Sequence, residues 1–192
     1  MPKTRYVSPD QIAMFPDDHP PRRLFIGLMP DVEVQTAIAR QRRGWQFADA
    51  VVPVRLQRLH LTLHFLEQVE HSRALDLQQA LAEVRMEAVA LTLRTPELWV
   101  PSHVAVVRPD ASEALDDLRE RLAQPLRRLG LPTAAEWTPH VTLAHEANGA
   151  VPPVDAAPVP WVASDFALVW SHRQPTAHYE LLARYPAVGS GG

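Results

Sequence analysis

The tetrapeptide His-hydrophobic-Thr-Leu occurs twice, as His60-Leu61-Thr62-Leu63 and as His140-Val141-Thr142-Leu143. Each copy lies in a short apolar and β-branched run, LHLTLHFL and HVTLA, which reads as strand and is too short for a typical helix. Residues i and i+2 of a strand point to the same face, so each His sits beside its Thr. A repeated motif of this kind is poorly explained by coincidence. It calls for a fold that sets two similar strands next to one another.

The segments around the motifs follow a repeated order. RRLFIGLM (22–29) has strand character, and Pro30-Asp31 opens a helix over VEVQTAIARQRR. After the first motif strand (59–66), residues 72–85 place Leu75, Leu77, Leu81 and Val84 at helical spacing, and VALTLRT (89–95) returns to strand. HVAVV (103–107) is a strand, and residues 112–130 form an amphipathic helix with Leu115, Leu118, Leu122 and Leu126 inward and Gly130 as its C-cap. Pro125 is expected to kink this helix or end its first segment. The second motif strand (140–144), a proline-rich loop (151–160) and strands at 166–170 and 178–185 complete the chain. Strand, helix and motif strand thus occur in that order twice. The expected fold is α+β: two similar lobes, each an antiparallel sheet with helices on its outer face, around a central cleft. Residues 22–186 form one domain, 1–21 with their five prolines a loose arm, and 187–192 a flexible tail.

Composition narrows the chemistry. The 19 Lys+Arg against 22 Asp+Glu give a formal charge of −3, so no global positive field holds a long polyanion. A nucleic-acid contact must be local, such as one terminus in one pocket. The absence of cysteine excludes disulfides, thiolate nucleophiles and Cys-based metal sites. No apolar run approaches the roughly 18 to 20 residues of a membrane span, and no signal-peptide core precedes Arg22, so a cytoplasmic monomer is expected.

Two imidazoles and two hydroxyls around one small anionic group suit metal-free acid–base chemistry. Imidazole serves as base when neutral and as acid when protonated near neutral pH. Opening a 2′,3′-cyclic phosphate needs an attacking water deprotonated and a departing ribose oxygen protonated. The Thr hydroxyls can donate to the non-bridging oxygens.

With these motifs, and with RRLFIGLMP, TPHVTLA, FALVWS and YELLARYP, the chain resembles the 2H phosphoesterases, named for two H-x-[ST]-x motifs. Within them it is most similar to the RNA 2′,3′-cyclic phosphodiesterases, historically called 2′-5′ RNA ligases. The resemblance implies a phosphodiesterase that uses no metal and no cofactor. His60 would be the proton donor to the leaving O3′ and His140 the proton acceptor that activates water, leaving a 2′-phosphate on an RNA terminus or nucleotide. Reversible 2′-5′ ligation is implied as well. Thr62 and Thr142 match the family's phosphate-binding hydroxyls.

Two positions depart from the pattern. His145 stands where many members carry Arg, and His64 where they often carry Lys; both are expected at the phosphate, as titratable replacements for permanent cations. The aromatics Phe25, Trp137, Trp170 and Tyr179 are candidates for stacking on a terminal base, or else core. The alternatives are a phosphodiesterase for small 2′-5′-linked or cyclic nucleotides, a non-catalytic RNA-end binder of the same fold, and a zinc hydrolase. The i, i+4 spacing of His60 and His64 suits zinc only on a helix.

Overall fold

The computed structural model describes residues 20–49, 51–173 and 177–189, so the expected arm lies outside the described residues except for Pro20 and Pro21. Nine strands are present: β1 (Arg22–Leu28), β2 (Val52–Pro53), β3 (Leu61–Val69), β4 (Val89–Trp99), β5 (Val104–Pro109), β6 (Val141–His145), β7 (Val159–Ala163), β8 (Asp165–His172) and β9 (His178–Pro186). Among the described residues three α-helices accompany them: α1 (Val32–Arg42), α2 (His71–Ala82) and α3 (Glu113–Arg128).

The strands pair in the order β7-β4-β5-β6-β3-β1-β8-β9, with β2 on β6, and every pairing is antiparallel. The expected two sheets are therefore halves of one hydrogen-bonded path. They meet at a single register position, Leu61 opposite Val141, inside the two motifs. About that junction the halves match strand for strand: β3 with β6, β1 with β5, β8 with β4, and β9 with β7.

Two of these helices, α1 and α3, cross between halves. α1 follows β1 but packs against β7, and its Gln41 donates to Ala157 O at 2.9 Å. α3 follows β5 but packs against β3 and α2, and α2 packs against β9. Asp31 caps α1 through Val34 N–H at 2.9 Å, and Ser112 caps α3 through Leu115 N–H at 3.3 Å. The main core fills the space between the sheet and the helices, with Leu24, Ile26, Leu28, Leu61, Leu63, Leu118, Leu122, Leu143 and Phe166 buried. The opposite face of the sheet is left for the groove.

Three sequence expectations change. α3 runs through Pro125 to Arg128 without ending, because only the bond to the Arg121 carbonyl is forgone so close to the C-terminus. The proline-rich 151–160 segment gives way to strand β7, with Val159, Trp161 and Ala163 buried in alternation. Pro160 is tolerated because β7 is an edge strand. The expected tail does not begin free at 187: Ala187 N–H donates to Ser164 O at 2.7 Å and Val188 N–H to Met86 O at 2.8 Å.

Candidate active site

Both motif strands carry the same irregularity. Opposite β1, Thr62 pairs with Gly27 and His64 with Ile26, so Leu63 is an extra residue; opposite β5, Thr142 pairs with Val106 and Ala144 with Ala105, so Leu143 is extra. A one-residue bulge puts two successive side chains on one face of the sheet. Leu63 with His64, and Leu143 with Ala144, are all buried. Each bulge carbonyl faces an arginine from a crossing helix: Leu143 O accepts from Arg42 Nη1 at 3.2 Å and Leu63 O from Arg119 Nε at 3.4 Å.

The bulge leaves His64 mostly buried. It is 4% exposed, and its Nε2–H donates to Arg119 O at 2.8 Å. Burial is the main cause that lowers its pKa, opposed by the Arg119 carbonyl, and the side chain lines the wall of the recess that contains His140. His145, one residue past the second bulge pair, returns to the groove side, exposed and opposite Val52.

The two motif histidines are held alike. His60 Nδ1 lies 2.8 Å from Arg58 O and His140 Nδ1 lies 2.8 Å from Thr138 O, in each case the carbonyl two residues earlier. A carbonyl only accepts, so both Nδ1 atoms carry a proton and both Nε2 atoms are left for the groove. The His60 ring stacks on Phe25 (centroids 4.4 Å apart) and meets the edge of Tyr179, and the His140 ring packs on Trp99 at 4.4 Å. Burial pushes the His60 pKa down to about 4, opposed by the Arg58 carbonyl and reinforced by charge on His140 and Arg58. Burial likewise lowers His140, with the Thr138 carbonyl opposing and Arg108 reinforcing.

The groove has two recesses that share Thr62 and Phe65. The first, about 590 Å³, contains His60, Thr62, Thr142 and His145 together with Arg23, Arg55, Arg58 and Tyr179. The second, about 430 Å³, contains His140 and Thr138 between Trp99 and Trp137. Thr62 and Thr142 therefore line one cavity with His60, and Thr62 bridges towards His140. Of the four aromatic candidates, Phe25, Tyr179 and Trp137 border the groove. Trp170 packs instead against the main core, beside His172 and under Arg22.

The cations of the first recess escaped sequence reasoning. The Arg58 guanidinium lies over Tyr179 at 4.4 Å, and Arg55 stands one short turn earlier. Their only signal was two arginines in VRLQRLH directly before the first motif. Among the described residues, no group of three or more His, Asp or Glu side chains is arranged to hold a metal ion.

Gly27 fixes how closely β1 approaches the first motif. A Cβ there would lie 2.8 Å from Leu61 O and 3.3 Å from Phe25 Cδ2, against the ring that supports His60. Gly27→Ala is expected to cost about 1–3 kcal/mol in stability from overpacking, measured by urea unfolding, because the nearest atom is backbone and cannot swing away.

A family model described as the 2′-5′ RNA ligase superfamily matches residues 30–175. The RNA 2′,3′-cyclic phosphodiesterase of Escherichia coli strain K12 is 29% identical over 133 residues, which cover 68% of this chain and 76% of that protein. The crystal structure of E. coli LigT in apo form has a TM-score of 0.75 at 26% identity, covering 88% of this chain and 99% of that one. LigT complexed with 3′-AMP has a TM-score of 0.74 at 25% identity and the same coverage.

Proposed function

Because the chain belongs to the 2′-5′ RNA ligase superfamily, we propose that it hydrolyses 2′,3′-cyclic phosphates at RNA ends to 2′-phosphates, using His60 and His140 and no metal. The observation that carries this reading is the matched pair of imidazoles, each fixed through Nδ1 to a backbone carbonyl, on either side of Thr62. His140 Nε2 takes the proton of the attacking water while His60, protonated on Nε2, gives one to the departing O3′. Thr62 and Thr142 donate to the non-bridging oxygens.

The first recess has a volume in the range of pockets that enclose small ligands, and it takes the terminal nucleotide. Arg55 and Arg58, with His145, receive the phosphate that continues the chain on its 5′ side. The permanent charge that His145 does not supply thus comes from the segment before the first motif. All of these groups belong to one chain, so the site needs no residue from a second subunit. No helix among the described residues is long and apolar enough to cross a membrane.

An oligonucleotide ending in a 2′,3′-cyclic phosphate, incubated with the protein in EDTA, is the test. Full turnover to a 2′-phosphate end, identified by ³¹P NMR, is the expected result. Loss of turnover with the chelator, or a 3′-phosphate product, would contradict it.

A further inference from the structure

The two halves of the sheet match strand for strand, so each residue beside one motif has a counterpart beside the other. Thr62 pairs with Gly27 and Leu61 with Leu28, which brings Met29 beside His60. Thr142 pairs with Val106 and Val141 with Val107, which brings Arg108 beside His140. One strand further out, Ala167 and Val169 lie opposite Gly27 and Phe25, whereas Glu97 and Trp99 lie opposite Val106 and Val104. Behind His60 this face is apolar, with Ala167 and Val169 buried beside Phe25 and Met29 packed against that cluster. Behind His140 the same three places hold Arg108, Glu97 and Trp99.

These three form a connected unit. Arg108 Nη1 donates to Glu97 Oε1 at 3.0 Å, Trp99 Nε1–H donates to Glu97 Oε2 at 3.1 Å, and the Trp99 ring lies on His140. Replacing a buried ion pair by apolar side chains of similar size is often neutral or stabilising, and the other half shows that apolar side chains fit here. Stability therefore does not explain the partly buried pair. Of its two charges, the guanidinium is the one that acts on His140, where it disfavours imidazolium and adds to the larger effect of burial. Arg58 acts on His60 with the same sign, but it lines the first recess, where the incoming chain phosphate neutralises it. Arg108 lines neither recess and already has its carboxylate partner. Its charge at His140 outlasts substrate binding.

We propose that Arg108, held by Glu97, is a positioning residue for the acid–base pair: it keeps beside His140 a cation that no substrate group neutralises, so this imidazole remains the proton acceptor after the phosphate is bound. The inference rests on the base role of His140. Phosphate binding then separates the two histidines. It favours imidazolium at His60, where Arg58 is neutralised, and is opposed at His140, where Arg108 is not. The other titratable or charged groups near His140 are His64 and Glu136 in its own recess, His60 across Thr62, and Arg119 over Trp137. Substitution of Arg108 or Glu97 leaves all four in place.

The test follows the imidazole Cε1–H signals of His60 and His140 by NMR in the full chain, as a function of pH, free and saturated with adenosine 2′-monophosphate. In the free protein Arg108→Gln should raise the His140 midpoint by roughly half a pH unit, the order expected for one partly screened charge, and Glu97→Gln should lower it. Arg108→Lys keeps the charge and should stay near the native value. His60 should move far less in each variant, and unmoved signals from the remaining imidazoles report an intact fold. With the nucleotide bound, the native midpoint should rise more at His60 than at His140, and Arg108→Gln should close most of that gap. A His140 midpoint indifferent to Arg108→Gln and Glu97→Gln, one that moves in the same direction in both, or a gap that Arg108→Gln leaves unchanged overturns the proposal. The ratio of kcat/KM on a cyclic-phosphate end at pH 4 to that at pH 8 tests the base role separately. It should fall about threefold in Arg108→Gln, the factor that corresponds to half a unit. Midpoints that shift as expected with an unchanged ratio leave the action of Arg108 on the ring in place and overturn His140 as the base.

Discussion

His140→Ala and His60→Ala are each expected to lower kcat on a cyclic-phosphate end by about two to four orders of magnitude, the range for loss of a positioned general acid or base. Both rings are fixed before substrate arrives, by the carbonyls of Arg58 and Thr138 and by stacking on Phe25 and Trp99. The loss therefore comes from chemistry more than from a displaced ligand, and KM should move little by comparison. Asparagine separates this from a packing defect. His140→Asn or His60→Asn keeps an N–H near the position of Nδ1 and removes Nε2, so it should be as inactive as alanine. The double variant should fall well short of the product of the single losses, because acid and base act in one step. Steady-state rates within tenfold of the native protein in either alanine variant would refute the roles.

The second large effect is expected at the threonines. Thr62→Val and Thr142→Val replace a hydroxyl by a methyl of nearly the same size, leaving a groove whose shape is intact and one donor short. Each should reduce kcat by about 10²–10³, the usual consequence of removing one donor aimed at developing negative charge. Thr→Ser at either position should recover most of the activity, since the hydroxyl and not the methyl is used. Losses under threefold for both valine variants would show that these threonines serve the strand and not the phosphate. Thr62 is the more exposed to indirect effects, because its own carbonyl holds Trp137.

The part of this site that was legible in the sequence is the part governed by local periodicity. His and Thr two residues apart do face the groove, and the repeat of that pair announced two matching half-sheets. Further along the strand, it was the family resemblance and not periodicity that put His64 at the phosphate. The extra residue at Leu63 breaks the alternation before His64, and nothing in LHLTLHFL distinguishes a bulged strand from a regular one. The identical bulge at Leu143 shows why the motif ends in leucine: that position is buried in both halves, with its carbonyl facing an arginine of a helix from the other half. Such crossing contacts, like the gathering of Arg23, Arg55 and Arg58 into the recess that Tyr179 also lines, depend on which elements become neighbours, and separation in the chain conceals them. Strand β7 was hidden for a different reason. Pro152, Pro153, Pro158 and Pro160 read as loop, although Val159, Trp161 and Ala163 already alternate.

The pH dependence of kcat/KM, measured from pH 4 to 9 for the native protein and the two alanine variants, tests the acid–base pair most directly. Catalysis in the free enzyme needs His60 protonated and His140 neutral. Burial lowers both, His60 to about 4 and His140 below its ordinary value. The native profile should therefore be a bell with its maximum on the acid side of pH 6.5. The maximum in kcat should lie at higher pH, because the bound anionic phosphate favours both imidazolium forms. His60→Ala should lose the alkaline limb of the residual activity, and His140→Ala the acidic limb. A native profile that is flat across this range, or variants that keep both limbs, would contradict catalysis by this pair.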